Sequence, residues 1–191
     1  PSAQPELRDV ADEWVAHLSG VSRKLLRAWA LALGAHESYF DEHFGDPQTL
    51  LKIVRYPGKE NPSQGVGAHK DAGVLTLLWV EPGKGGLQVE RDGEWVDAPS
   101  VPGAFVVNIG DLMARWTNDR WTSTLHRVQN PTITGPASRR LSLPFFCQPN
   151  YDAVIETVPT CVSALVPSKY PIITAGQNVT DKTGASFAVR T

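Results

Sequence analysis

Cysteine is scarce in this chain, with only Cys147 and Cys161 among 191 residues. One bridge at most could form, which excludes the dense disulfide framework of a small secreted scaffold and favours buried free thiols. No apolar run is long enough to span a bilayer, and no basic-then-apolar leader opens the chain. An excess of positive charge is missing too. Eighteen Lys and Arg face 20 Asp and Glu, for a net charge of -2 and a pI near 6.2. Neither nucleic acid nor an acidic membrane surface is therefore an expected partner. Basic residues are scattered, with short pairs at Arg23-Lys24 and Arg139-Arg140. Internal repeats and low-complexity tracts are absent. A soluble protein in a reducing, cytoplasmic setting is the expectation. The chain opens on Pro1 without a Met, as a fragment would.

The sequence does have enough apolar residues for a real core: 41% apolar and 20% charged reads as one globular domain. Residues 5–45 read as helical. Pro5 and Glu6 suit a helix start, and Leu7, Val10, Trp14, Val15 and Leu18 recur at helical spacing. Gly20 interrupts the pattern. Leu25, Leu26, Trp29 and Leu33 resume it, Gly34 stops or kinks it, and a second short helix is expected over 36–43. From Leu50 the pattern changes to short strands at 50–57, 74–80, 87–91, 94–97, 104–109, 124–128 and 141–147, punctuated by Gly and Pro. Arg91-Asp92-Gly93-Glu94 is a hairpin turn. Many short strands argue for a sandwich or barrel of jelly-roll type. The expected division is helical support over 1–49, a β core over 50–159, and a C-terminal tail over 160–191 that is polar and loose from Ala175 onward.

Three residues carry the chemistry. His69 and Asp71 are one residue apart, and on a strand residues i and i+2 point to one face while Lys70 points away. His126 is the third candidate, from a strand that folds back. Two imidazoles and a carboxylate form a facial triad that leaves positions open on a six-coordinate metal, a set suited to non-haem Fe(II). Alone, H-x-D is a weak signal, and each residue could simply hydrogen-bond locally. Its position at the entrance to the apolar strand 74–80 strengthens it. Arg140 and Ser142 repeat the i, i+2 spacing, and a guanidinium fork beside a hydroxyl makes a carboxylate clamp. The apolar Leu143-Pro144-Phe145-Phe146 that follows favours an inward Arg140 over a solvated one.

With these motifs in order, the sequence resembles the isopenicillin N synthase-like group of Fe(II)- and 2-oxoglutarate-dependent oxygenases. The resemblance runs from about Leu50 to Pro159. It rests on Ile53-Val54-Arg55-Tyr56-Pro57, His69-Lys70-Asp71, Leu75-Thr76-Leu77-Leu78, Gly85-Gly86-Leu87-Gln88-Val89, Val107-Asn108-Ile109-Gly110-Asp111, Thr117-Asn118-Asp119, His126-Arg127-Val128 and Arg140 through Phe146. It implies a mainly β fold with flanking helices: a double-stranded β-helix, the cupin-like jelly roll, packed against a long N-terminal helix. It implies His69, Asp71 and His126 as Fe(II) ligands. Arg140 and Ser142 would grip the distal carboxylate of the cosubstrate 2-oxoglutarate, with the Tyr56 hydroxyl in the same pocket and Asn108 shaping it. The implied reaction consumes O2, releases succinate and CO2, and hydroxylates, desaturates or cyclises a small-molecule substrate. Asp71 argues against halogenation, since halogenase relatives lack that carboxylate. Relatives usually carry a substantial segment ahead of the long helix, and this chain is read as beginning without it.

Alternatives stay open on sequence alone. Isopenicillin N synthase itself uses the triad without 2-oxoglutarate, its Arg-x-Ser pair holding a substrate carboxylate. A truncated, non-catalytic jelly-roll binding module is a second alternative, and a zinc hydrolase a distant third that leaves Arg140 and Ser142 unexplained. His17, His36 and His43 suit surface or capping roles. Trp116 and Trp121 suit either a substrate mouth or packing, and Met113 suits the core.

Overall fold

The computed structural model describes residues 4–58, 60, 63–131 and 139–188, with the side chains of 183–188 excepted. Helix α1 (Leu7–Ala32) buries Leu18, Ser22, Leu26 and Ala30 along one stripe, the spacing a 3.6-residue period demands. Gly20 does not interrupt it. A single helical glycine costs only about 1 kcal/mol relative to alanine, less than the packing on either side returns. Gly34 does end it, with φ at 77°. Its N–H donates to Leu31 O and that of Ala35 to Ala30 O, both at 2.9 Å, the paired bonds of a left-handed helix terminator. The expected second helix is reduced to a 3-10 turn, Asp41–Phe44.

The strands that follow are β1 (Gln48–Leu51), β2 (Val54–Pro57), β3 (Gln64–His69), β4 (Leu75–Val80), β5 (Leu87–Arg91), β6 (Glu94–Asp97) and β7 (Val106–Ile109). A short helix α2 (Asp111–Trp116) precedes β8 (His126–Gln129) and β9 (Arg139–Gln148). The strand expected over 50–57 is two segments. Both run along β9, and between them Lys52 N donates to Pro144 O at 3.0 Å. One sheet has the order β1-β9-β4-β7, with β2 also on β9, and the other is β3-β8-β5-β6. The pairings are antiparallel and mostly join strands distant in sequence. The protein is thus mainly β, a double-stranded β-helix with α1 outside the first sheet.

That sheet is buried on both faces, which is why 74–80 reads as unbroken apolar sequence. Leu75 and Leu77 of β4, with Phe145 and Cys147 of β9, pack towards Leu18, Leu26 and Ala30 of α1. Alternate residues Thr76, Leu78, Ser142, Pro144 and Phe146 face the space between the sheets. A smaller cluster of Tyr56, Leu87 and Val128 fills part of that space.

The C-terminal region departs from the loose tail expected. It forms a two-stranded ribbon of β10 (Val154–Ile155) and β11 (Ile173–Thr174), then α3 (Ala175–Ala188). The Thr117-Asn118-Asp119 turn organises the path between. Asn118 and Asp119 hold positive φ angles of 56° and 62°. Asn118 Nδ2 donates to Cys161 O and Pro167 O, and its Oδ1 accepts from Lys169 N. Trp116 is 1% exposed and meets Phe40 edge-on, while Trp121 meets Trp29. Both tryptophans serve packing. Met113 is in the core, as expected.

Candidate metal centre

His69 ends β3 and His126 begins β8, and the two face each other as direct cross-strand partners. Their ring centroids are 4.3 Å apart. Each Nδ1 meets a backbone carbonyl, His69 at Gly67 O (2.7 Å) and His126 at Thr124 O (3.0 Å). A carbonyl only accepts, so Nδ1 carries the proton in both rings and the Nε2 lone pairs are left for a metal.

Asp71 is not on the strand. The segment after His69 leaves the sheet, and the start of α2 holds it. Gly110 N donates to Val74 O, Asp111 N to Asp71 O and Leu112 N to Gly73 O, at 3.1, 2.8 and 3.1 Å. These helix-terminal N–H groups need outside acceptors, and the ligand loop provides them. The approach requires glycine at 110, where an added Cβ would lie 2.1 Å from Gly73 O. From the other side, Asn178 of α3 donates to Ala72 O at 3.0 Å, and Lys182 pairs with Asp111. Lys70 is exposed, as expected.

The Asp71 carboxylate is 8% exposed and its two oxygens are differentiated. Oδ2 accepts from Thr76 Oγ1 at 2.6 Å and from Asn108 Nδ2 at 2.9 Å. Oδ1 lies 3.7 Å from both histidine Nε2 atoms. Thr76 and Asn108 are cross-strand partners on β4 and β7, so the first sheet aims the carboxylate at a site built by the second. The three donor atoms lie within 4.8 Å of one another, and this is the one such cluster among the described residues. Two neutral imidazoles and one carboxylate, fixed on one side, fit a facially bound Fe(II). His17, His36 and His43 take no part: His17 bonds Glu13 O, His36 bonds Ser38, and His43 stacks edge-on with Trp116.

A cavity of about 370 Å³ extends from the triad between the sheets, lined by Val54, Tyr56, Leu78, Val106, Val128, Ser142 and others. His69 at 41% and Val107 at 44% exposure mark its open end. Arg140 does not itself line the cavity but lies behind Tyr56 and Ser142, which do, at its closed end, with 0% exposure. Its guanidinium sits 4.9 Å over the Tyr56 ring, and none of its three nitrogens has a hydrogen-bond partner among the described residues. Burial lowers its pKa, against the pull of Tyr56 and Glu81. Burial likewise raises the Tyr56 phenol, opposed by Arg140. Tyr56, Arg140 and Ser142, the residues expected to form a clamp, lie together on β2 and β9.

Two contributors escaped the sequence reading. Thr76 is the one hydroxyl in the apolar strand 74–80, and that exception was the available signal. Gly110 reads as a turn residue, and its role depends on a tertiary approach no local pattern encodes. Cys147 and Cys161 are both free, as expected.

The family model for the 2OG-Fe(II) oxygenase superfamily matches residues 47–149. The 2-oxoglutarate-Fe(II) type oxidoreductase hxnY of Emericella nidulans is 38% identical over 181 residues, covering 91% of this chain and 50% of that protein. Homoarginine-6-hydroxylase 2-ODD-C23 of Glycine max is 36% identical over 170 residues, covering 84% of this chain and 50% of that protein. The chain therefore spans about half the length of these relatives. Among solved structures, a full-length Neurospora crassa protein in complex with alpha-KG superposes with a TM-score of 0.82 at 28% identity, over 93% of this chain and 57% of that one.

Proposed function

Because the chain belongs to the 2OG-Fe(II) oxygenase superfamily, we propose that it forms the catalytic core of an Fe(II)- and 2-oxoglutarate-dependent dioxygenase acting on a small molecule. The observation that carries this reading is the buried, unpartnered Arg140 at the closed end of the cavity whose open end holds His69, Asp71 and His126. Fe(II) and 2-oxoglutarate supply the chemistry, activating O2 with release of succinate and CO2.

The residues hold these groups and the substrate in place. His69 and His126 offer Nε2 because Gly67 O and Thr124 O hold the Nδ1 protons. Asp71 offers Oδ1 because Thr76 and Asn108 occupy Oδ2. Arg140, with the Ser142 hydroxyl and the Tyr56 phenol, receives the distal carboxylate of 2-oxoglutarate and so orients its keto acid end towards the triad. The apolar walls around Leu78, Val106 and Val128 exclude water from the reacting centre. Motif order from Tyr56 to Phe146 supports a place in the isopenicillin N synthase-like branch. The free thiols Cys147 and Cys161 support a reducing, cytoplasmic setting.

The test is anaerobic addition of Fe(II) and then 2-oxoglutarate, following the weak visible charge-transfer band of the chelate, with succinate measured once air is admitted. Arg140→Ala should weaken the band and His126→Ala should abolish stoichiometric iron binding. Undiminished iron binding by His126→Ala would refute the ligand assignment, and iron binding without the band would refute the cosubstrate.

A further inference from the structure

From the link between β1 and β2 into β2, the residues facing the cavity are Lys52, Val54 and Tyr56 at two-residue spacing, a cation, an apolar residue and a phenol. Their neighbours point elsewhere: Leu51 packs on the main core, while Ile53 and Arg55 are exposed. On β9 the matching face reads Arg140, Ser142, Pro144, Phe146. Tyr56 pairs with Arg140 and Val54 with Ser142, and the Lys52 amide bonds Pro144 O. The two strands thus carry a cation at each end of an apolar stretch. Arg140 is at the closed end. Lys52 is at the other, with its Nζ 5.2 Å from the centroid of the Phe146 ring. Phe146 pairs across β4 with Thr76, the residue that holds Asp71. Lys52 therefore stands beside the metal-binding end and not beside the cosubstrate clamp.

Among the described residues lining this cavity, Lys52 is the only Lys or Arg. The other polar groups are mostly committed. Thr76 and Asn108 hold Asp71, the triad faces one point, and Tyr56 and Ser142 adjoin Arg140. No carboxylate among the described residues lies within salt-bridge distance of Lys52, and its cation meets an aromatic face instead. An apolar wall with one placed cation orients a ligand that has an apolar body and one negative charge.

Building on the dioxygenase reading, we propose that Lys52 selects the substrate: an organic acid whose carboxylate pairs with Lys52 while its hydrocarbon body lies along Phe146, Leu78 and Val106 beside the metal site. The two cations separate two carboxylates. Arg140, enclosed, takes that of 2-oxoglutarate, and Lys52, at the mouth, takes that of the substrate. An anion arriving from solvent meets the exposed Lys52 first, which also steers entry.

The experiment uses a matched pair of probes, 3-phenylpropionate and 3-phenylpropanamide, titrated by ligand-observed NMR. The full chain is studied alone and loaded with redox-inert Zn(II) and 2-oxoglutarate, as wild type, Lys52→Met and Lys52→Arg. The acid should bind about tenfold more tightly than the amide to wild type and Lys52→Arg, the scale of one charge-assisted hydrogen bond. Lys52→Met should bind the two equally while keeping wild-type affinity for 2-oxoglutarate, which also shows that it is folded. The proposal is overturned if the preference survives in Lys52→Met, if the acid does not bind wild type, or if 2-oxoglutarate displaces the acid. Loss of 2-oxoglutarate binding by the zinc-loaded wild type, with the Lys52-dependent preference intact in the chain alone, would overturn the dioxygenase reading and leave the anion site standing.

Discussion

Replacing Arg140 with methionine should make the protein more stable and useless at once. The guanidinium is fully enclosed and lacks a hydrogen-bond partner among the described residues. Leaving a buried charge uncompensated costs about 3–5 kcal/mol. The Tyr56 ring 4.9 Å away returns part of this, roughly 1–2 kcal/mol for a desolvated cation–π pair. Methionine keeps the unbranched stem and its packing at a cost of less than about 1.5 kcal/mol. The net expectation is a gain of about 1 kcal/mol for Arg140→Met without cosubstrate, or roughly 2–4 °C in Tm for a domain of this size. Cosubstrate reverses the order. At a concentration about 100 times its Kd, 2-oxoglutarate should stabilise the zinc-loaded wild type by about 2.7 kcal/mol and the variant not at all. Thermal unfolding of both proteins, zinc-loaded, with and without 2-oxoglutarate, measures the four values required. A variant that melts well below wild type without cosubstrate, or that gains the same increment with it, would refute the argument.

Gly110→Ala should displace the ligand loop, because its Cβ would fall 2.1 Å from Gly73 O. A loss of about 1–3 kcal/mol in urea unfolding is expected, together with weaker metal binding, and metal affinity equal to wild type would show that the clamp does not position Asp71. Thr76→Val and Asn108→Ala each remove one of the two hydrogen bonds to Asp71 Oδ2, and each should weaken Fe(II) or Zn(II) binding about 10- to 100-fold by calorimetry, as loss of such supporting bonds does elsewhere. Burial pushes the Cys147 thiol from 9.0 up to about 11, so the folded state keeps a proton that the unfolded chain releases. The resulting stabilisation, about 3 kcal/mol, is fully present below pH 9 and is lost as the pH rises through 11. Cys147→Ala should flatten the fall in stability over that interval, and an unchanged alkaline profile would contradict the burial argument.

The triad was legible because its chemistry is rare in combination, even though the geometry first argued for it was half right. His69 is on a strand and Asp71 is not, and the position of Asp71 comes from α2, a helix of six residues, too short to show a period. Strand β3 was missed because Gly65 and Gly67 interrupt any alternation, and its exposed pattern offers no buried face to read. Helix α3 was missed because its sequence, rich in Thr, Asn, Gly and Ser, has weak propensity, and its hold on Ala72 and Asp111 is tertiary. Strands with one strongly apolar face, such as β4, β5 and β9, were placed within a residue or two. The burial of Arg140 was legible from its apolar surroundings, whereas Lys52 looked like any lysine at a strand end until its alternation with Val54 and Tyr56 was visible.

The pairing of β3 with β8 has a consequence for how the protein reaches a single shape. That ladder has irregular register between Gln64 and Val66 and again between Val66 and His69, and a glycine-containing, exposed strand is the kind that slips. A slip of one residue would turn one imidazole to the opposite side of the sheet. An ion held by both rings would bind only the alignment that sets His69 against His126, and would so act as a proofreader of strand alignment. Occupancy by metal would then sharpen the ensemble of the whole outer sheet, and hydrogen exchange along β3 would report it residue by residue.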